Sequence, residues 1–75
     1  MSEFNVVDHL LEKGFRTQAR LAAAAGRRQS SVADWKRENR IPSECQPLII
    51  KAAHDEGIEI YPDDFFDPEL RRQGV

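Results

Sequence analysis

The sequence predicts an all-α protein, a compact bundle of four to five short helices. Over most of the chain, apolar residues recur at spacings of three and four, which is the period of amphipathic helices. Glycines separate these stretches at positions 14, 26 and 57. The segment 18–25 consists almost entirely of strong helix formers. These three observations favour short helices joined by tight turns.

The chain of 75 residues is long enough for one domain with a small core. We expect this domain to span residues 1–68, followed by a flexible tail over residues 69–75. No apolar stretch approaches the roughly 18 residues of a membrane span, and the first residues do not form a secretion signal. The single cysteine, Cys45, cannot form an internal disulfide, which fits a reducing compartment. The sequence therefore predicts a cytoplasmic protein with no membrane partner.

The first helix is expected over residues 3–13. Ser2 is its expected N-cap, and Gly14 is expected to end it. Its apolar stripe consists of Phe4, Val7, Leu10 and Leu11. Phe15 then enters the core between the helices.

A second helix is expected over residues 18–25, with Thr17 as its N-cap, and a third from about 28 to 37. The turn between them needs a positive φ, which Gly26 adopts at no steric cost. The inward positions of the second helix are Gln18, Leu21, Ala22 and Ala25. The inward positions of the third helix are Val32 and Trp35. The opposite face of the third helix carries Gln29, Ser30, Ala33 and Arg37.

A fourth helix is expected after Ser43, its N-cap, and Gly57 is expected to stop it. Pro47 falls in its first turn, where the missing N–H is least harmful. Its inner stripe consists of Cys45, Leu48, Ile49, Ala52 and Ala53.

After the fourth helix, Ile58 and Ile60 predict a short extended piece, and residues 62–66 a turn or a single helical turn. Phe65 and Phe66 are adjacent and cannot both point inward. We expect one of them to close the core and the other, with Ile50 or Tyr61, to form a dimer face. Simple closure of the core is the alternative. The candidate dimer residues are Ile50, Tyr61, Phe65 and Phe66.

The two helices around Gly26 have the spacing of a helix-turn-helix. Five residues occupy the structural positions of that motif in register: Leu21, Ala22, Gly26, Val32 and Trp35. Over roughly residues 5–66 the chain resembles the lambda-type repressor and Cro family, and its segment 35–42 is also similar to small Cro-like and YdaS-like regulators of phage and prophage. The resemblance implies a lambda repressor-like fold and a DNA-binding protein associated with the bacterial nucleoid.

Charge is segregated along the chain, although the net charge is only −2. Residues 13–40 carry eight Lys or Arg and two acids, whereas residues 41–69 carry one Lys and eight acids. Exposed charges act over about 8 Å at physiological salt, so a phosphate backbone responds to the local field rather than to the total. The basic block coincides with the predicted helix-turn-helix, as DNA binding requires.

The third helix is the predicted recognition helix, whose first turn enters the major groove. The expected base contacts are Arg28, Gln29, Ser30 and Ala33. Gln29 is the main candidate because glutamine can bond adenine N6 and N7 together, and the resemblance implies that Gln18 braces it. Arg28 could contact a guanine edge or bind a phosphate, and the sequence does not decide between these two roles. The expected phosphate contacts are Arg16, Thr17, Gln18, Lys36, Arg37, Asn39 and Arg40.

Asp34 lies within the same helix and carries the wrong charge for a phosphate. It could accept from a cytosine amine, or it could point sideways and pair with Arg37 or Arg27. We favour the sideways orientation.

The leading hypothesis is a transcriptional regulator, most simply a repressor, that binds operator DNA as a homodimer. The alternative is a protein-interaction adaptor or antitoxin whose acidic C-terminal half binds a protein partner. We expect no catalytic residues, cofactor or metal, because Cys45, His9 and His54 match no zinc spacing. Cys45 is interpreted as a buried structural thiol.

Overall fold

The computed structural model describes residues 4–66, so the expected tail over 69–75 lies outside the described residues. Its four α-helices are α1 (Val6–Leu10), α2 (Gln18–Ala25), α3 (Gln29–Glu38) and α4 (Gln46–Asp55). A π-helical turn, Leu11–Phe15, follows α1, and a 3₁₀ turn, Pro62–Phe65, follows α4. Residues 4–66 contain no strand. The predicted all-α class is therefore confirmed.

One core lies between the helices, with α2 packed against both α3 and α4, and α1 packed against α3. Its largest fully buried side chains are Leu10, Phe15, Leu21, Val32, Ile49 and Ile60, with Val6, Val7 and Cys45 beside them. Trp35 is also buried. The burial of Val32, Trp35 and Cys45 agrees with the prediction. Within residues 4–66 no helix is long and apolar enough to cross a membrane.

The first helix begins later than the sequence predicted, at Val6 rather than at residue 3. Its N-cap is Asn5, whose side chain accepts hydrogen bonds from the backbone N–H groups of Val7 and Asp8. The assignment of Ser2 as the cap was wrong, because an asparagine in an extended conformation already performs that function at position 5. Ser2 itself lies outside the described residues.

Gly14 interrupts the helical backbone inside the π-helical turn, in a conformation that other residues rarely adopt, with φ 157°. A Cβ at this position would lie 2.8 Å from Cγ1 of Ile58. The helical conformation thus breaks at the predicted residue, although the π-helical turn extends to Phe15, and the close packing of Ile58 adds a second reason for glycine that periodicity could not indicate.

The connection between α2 and α3 is a glycine turn. Thr17 Oγ1 accepts from Arg20 N at 3.2 Å, which confirms Thr17 as the N-cap of α2. Gly26 has φ 68° and ψ 30°, in the left-handed region. The N–H of Arg27 then donates to the carbonyl of Ala22 at 2.9 Å, which closes the end of α2. Gln29, two residues after Arg27, is the first residue of α3.

Two predictions for the fourth helix were wrong. Ser43 is not its N-cap, because residues 43–45 form a turn and the helix begins at Gln46 after Cys45. Leu48 is not in the core, since it is 49% exposed. The buried stripe follows the i, i+4 spacing through Cys45, Ile49 and Ala53, which turns Leu48 out to solvent.

The segment after α4 returns to the core as predicted. Ile60 and Phe65 are buried, whereas Phe66 is 49% exposed. Phe65 therefore closes the core and is removed from the candidate dimer residues. Ile50 is partly buried against the core, and Tyr61 is exposed.

Asp64 is a buried carboxylate that the sequence did not single out. Its Oδ1 lies 3.0 Å from His9 Nε2, and its Oδ2 accepts from Tyr61 N at 2.8 Å. Burial alone would raise the pKa of Asp64, but the hydrogen bonds from His9 and Tyr61 and the charge of Lys13 together lower it below its usual value. The 3₁₀ turn is thus tied to α1 by an ionised group.

Because the pKa of Asp64 is lower in the folded chain than the ordinary value of 3.8, its ionisation stabilises the fold above that value, and this stabilisation is lost as the pH falls through the folded pKa. We expect Asp64→Asn to lower the free energy of unfolding near neutral pH. The difference from the unaltered protein should shrink as the pH falls below about 4. Urea titrations over this pH range measure it. Asp63→Asn, at the exposed carboxylate beside Asp64, is the control and should leave the dependence of unfolding free energy on pH unchanged. The same pH dependence for the unaltered protein and both variants would contradict the prediction.

Candidate nucleic-acid interface

The outer face of α3 carries the four predicted polar and small side chains and is open to solvent. Gln29, Ser30, Ala33 and Arg37 are all exposed. Val32 and Trp35 on the opposite face are buried. The amphipathic period of α3 thus separates a core face from a face that is free to approach a ligand.

The start of α3 lacks a side-chain cap. Arg28 holds the N-cap position with φ −80° and ψ 157°, and its side chain makes no capping hydrogen bond. The first turn therefore presents backbone N–H groups with partial positive charge beside the Gln29 and Ser30 side chains. This geometry suits an anionic or hydrogen-bond-accepting surface.

The start of α2 brings three of the predicted phosphate contacts together. Arg16 and Thr17 are exposed, and Gln18 is half-buried as the first residue of α2. Within residues 4–66 no hydrogen bond joins the Gln18 side chain to Gln29. The bracing of Gln29 by Gln18 therefore stays an expectation for the bound state.

The predicted cations divide into two groups. Arg16, Arg28 and Arg40 are exposed and form no ion pair within the described part of the chain. Lys36 and Arg37 each have an acidic partner. Three cations are thus available to an anion without breaking any contact.

The partners of Lys36 and Arg37 are both surface carboxylates. Lys36 Nζ lies 3.2 Å from Asp8 Oδ1. Arg37 donates to Asp34 Oδ1 at 2.8 Å, as the sideways orientation of Asp34 predicted. Exposed pairs of this kind contribute only about 0–1 kcal/mol, so a phosphate oxygen can replace either carboxylate.

Asn39 differs from the other predicted phosphate contacts. Its Oδ1 accepts from Val6 N at 2.7 Å, and its Nδ2 donates to Phe4 O at 2.8 Å. The residue is exposed, but both polar atoms of its side chain are bonded to the start of α1, so we do not count Asn39 among the side chains that are free to contact a phosphate. The signal that it was structural, a partner more than 30 residues away, is not visible in local sequence.

Arg27 lies at the α2–α3 turn but is directed toward α4. Its guanidinium donates to Glu44 Oε1 at 3.4 Å. Its interaction with the Cys45 side chain and the nearby charge of Glu44 raise its pKa above the ordinary value. Arg27 therefore connects the turn to the start of α4.

Comparison of the chain with protein-family models, with curated proteins and with solved structures finds no match in any of the three.

Proposed function

We propose that the protein is a sequence-specific DNA-binding transcriptional regulator, most simply a repressor, that reads the major groove of duplex DNA with α3. The observation that carries the proposal is the exposed face of α3 with its uncapped first turn. Arg28 precedes α3, Arg40 follows it and Arg16 precedes α2, and none of the three forms an ion pair within residues 4–66. Polar side chains at the start of a helix suit base edges, and surrounding cations suit phosphates.

Each residue of the proposed surface has a distinct chemical part. Gln29 is the first residue of α3, and its amide can donate to adenine N7 and accept from N6 at the same time. Ser30 can donate or accept, and the methyl group of Ala33 can contact a thymine methyl. Arg28 reaches either a guanine edge or a phosphate. Thr17 and Gln18 present a hydroxyl and an amide to a phosphate at the start of α2.

We expect Gln29→Ala to weaken binding to the specific site by roughly 1–3 kcal/mol and to leave binding to random duplex DNA almost unchanged. The bidentate contact gives sequence discrimination, whereas non-specific binding depends on phosphate contacts. The site is first obtained by selecting bound fragments from genomic DNA. Affinities are then measured by gel shift at one fixed salt concentration.

The control for this substitution is Lys51→Ala, at an exposed position on α4. It should leave the ratio of specific to random affinity unchanged. Equal losses on both DNAs for Gln29→Ala would remove Gln29 as a base-reading residue. The absence of any selected fragment at low salt would contradict the proposed function.

We further propose that the protein acts in the bacterial cytoplasm and binds DNA as a homodimer. Tyr61 and Phe66 are 54% and 49% exposed, and Phe66 lines a shallow cleft of about 380 Å³ with Ile41 and Phe65. Exposed aromatic side chains are typical of interfaces. Two copies would place their recognition helices about 34 Å apart, so a palindromic site is expected. Sedimentation velocity with and without DNA measures the stoichiometry.

The second candidate function is a protein-interaction adaptor or antitoxin. The feature that favours it is the acidic surface of the C-terminal half, where Glu44, Asp55, Glu56, Glu59 and Asp63 are all exposed. Leu48 is exposed on the same half of the chain. A protein that co-purifies with the chain, combined with no DNA binding at low salt, would favour this function.

A further inference from the structure

The C-terminus of α3 is bonded to the backbone at the start of α1 through Asn39. Asn39 adopts the left-handed conformation, with φ 52° and ψ 45°. Its Oδ1 accepts from the N–H of Val6, the first residue of α1, and its Nδ2 donates to the carbonyl of Phe4. One side chain thus satisfies an N–H group that α1 itself leaves without an acceptor.

Asn5 makes the reciprocal connection from α1 to α3. Its Nδ2 donates to the carbonyl of Lys36, in the last turn of α3, at 3.0 Å. Its Oδ1 meanwhile caps α1 by accepting from Val7 N at 3.1 Å and from Asp8 N at 3.2 Å. We call Asn5 and Asn39, with these bonds, the asparagine joint.

Both positions of the joint need the asparagine side chain. Position 39 has positive φ, which asparagine tolerates better than most residues. It also needs an acceptor and a donor on separate atoms of one short side chain. An ionised aspartate has no donor, and serine has only a single oxygen. Position 5 needs an N-cap oxygen and a donor. Replacement by another residue therefore removes at least one bond at either site.

The joint acts on the helix that carries the proposed DNA-binding face. One end of α3 is set by the turn at Gly26, and the joint holds the other end. The carbonyl of Lys36 lies within the joint, and Arg40 follows Asn39 directly. Holding a short helix at both ends fixes its direction and its rotation about its own axis.

We propose that Asn5 and Asn39 are positioning residues that set the orientation of α3 on the body of the protein and so hold its outer face in the geometry for DNA. This inference rests on the proposed function. Neither asparagine contacts DNA in it, because both act through α3.

Two neutral substitutions test the joint. Asn39→Gly keeps a residue that adopts positive φ but removes both side-chain bonds. Asn5→Ser keeps an N-cap oxygen for α1 and removes the donor to Lys36. Neither changes the net charge, so the electrostatic attraction to DNA is preserved. Gln46→Ala is the matched control, because it removes a side-chain-to-backbone bond elsewhere, from Gln46 Nε2 to Ile41 O at 3.1 Å.

The first measurement is amide hydrogen exchange without DNA. Loss of one hydrogen bond of ordinary strength should speed exchange roughly three- to tenfold at the affected groups. We expect this at the N–H groups of Val6 and Arg40 in both joint variants. The N–H of Arg27, at the other end of α3, should keep its rate. A uniform change at all amides would overturn the inference, because it would show only a loss of global stability.

The second measurement is affinity for the selected DNA site. Each joint variant should bind the site several-fold more weakly than the unaltered protein. The double variant should bind no more weakly than the single variant with the lower affinity, because both substitutions break the same joint. Gln46→Ala should bind normally. A loss confined to Asn39→Gly would indicate a direct contact and overturn the positioning role. Failure of the unaltered protein to bind DNA would contradict the proposed function alone, and the exchange rates would still decide whether the joint holds α3.

Discussion

Replacement of Gly14 by alanine is expected to destabilise the fold by about 2–4 kcal/mol. Gly14 has φ 157°, and its added Cβ would lie 2.8 Å from Cγ1 and 3.0 Å from both Cδ1 and Cγ2 of Ile58. The variant must therefore strain its backbone and also displace a side chain that packs against the core. A small domain has only about 5–15 kcal/mol of stability, so the effect should be large. Urea unfolding followed by circular dichroism measures it.

Gly57 provides a control for the contribution of backbone strain to this loss of stability. Gly57 also has a positive φ, 77°, but no heavy atom lies within 4 Å of an added Cβ. We expect Gly57→Ala to be destabilising by about 1–2 kcal/mol, from backbone strain alone. The excess at Gly14 should fall when Ile58→Ala is combined with it, as the two sites are in contact. Equal losses at the two glycines would refute the role of the Ile58 contact.

Removal of two exposed cations from the proposed DNA surface should weaken binding to all duplex DNA. If Arg16 and Arg40 each contact one phosphate, the variant Arg16→Gln/Arg40→Gln loses about two released counterions. The slope of log affinity against log salt should then flatten by about 1.8, which corresponds to roughly 60-fold weaker binding at 0.1 M salt. Gel shifts across a salt series, on the selected site and on random DNA, measure both quantities.

The matched control removes the same amount of charge from other surfaces. Arg20 lines a groove between α2 and α4 together with Asp55 and Glu56, and Lys51 is exposed on α4. We expect Arg20→Gln/Lys51→Gln to change the slope little, because distant charges are screened at moderate salt. If both double variants lose the same affinity, the interaction depends on overall charge and the proposed orientation of α3 toward DNA is wrong.

Local patterns in the sequence predicted the helices well, because their causes lie within a few residues. The turn at Gly26, the N-cap at Thr17 and the inward positions of Leu21 and Val32 follow from spacing and from side-chain chemistry over one or two turns. The exposure of Gln29 on the opposite face follows from the same period.

The features that the sequence did not predict depend on contacts between distant residues. Asn39 bonds to residues more than 30 positions away, and Asp64 pairs with His9 across 55 positions. A carboxylate in an acidic segment, or an asparagine between a glutamate and an arginine, gives no local sign of such a partner. Leu48 was misplaced for a related reason, since its exposure depends on how α4 is rotated against α2, which periodicity leaves uncertain by one position.

The fluorescence of Trp35 can distinguish unfolding of the protein from binding at α3. Trp35 is the single tryptophan of the sequence and is 5% exposed on the inner face of α3. Its indole emission should therefore shift to longer wavelength when the core opens. A ligand seated on the outer face of the same helix should leave that emission nearly unchanged, so one fluorophore separates unfolding from binding in a single titration.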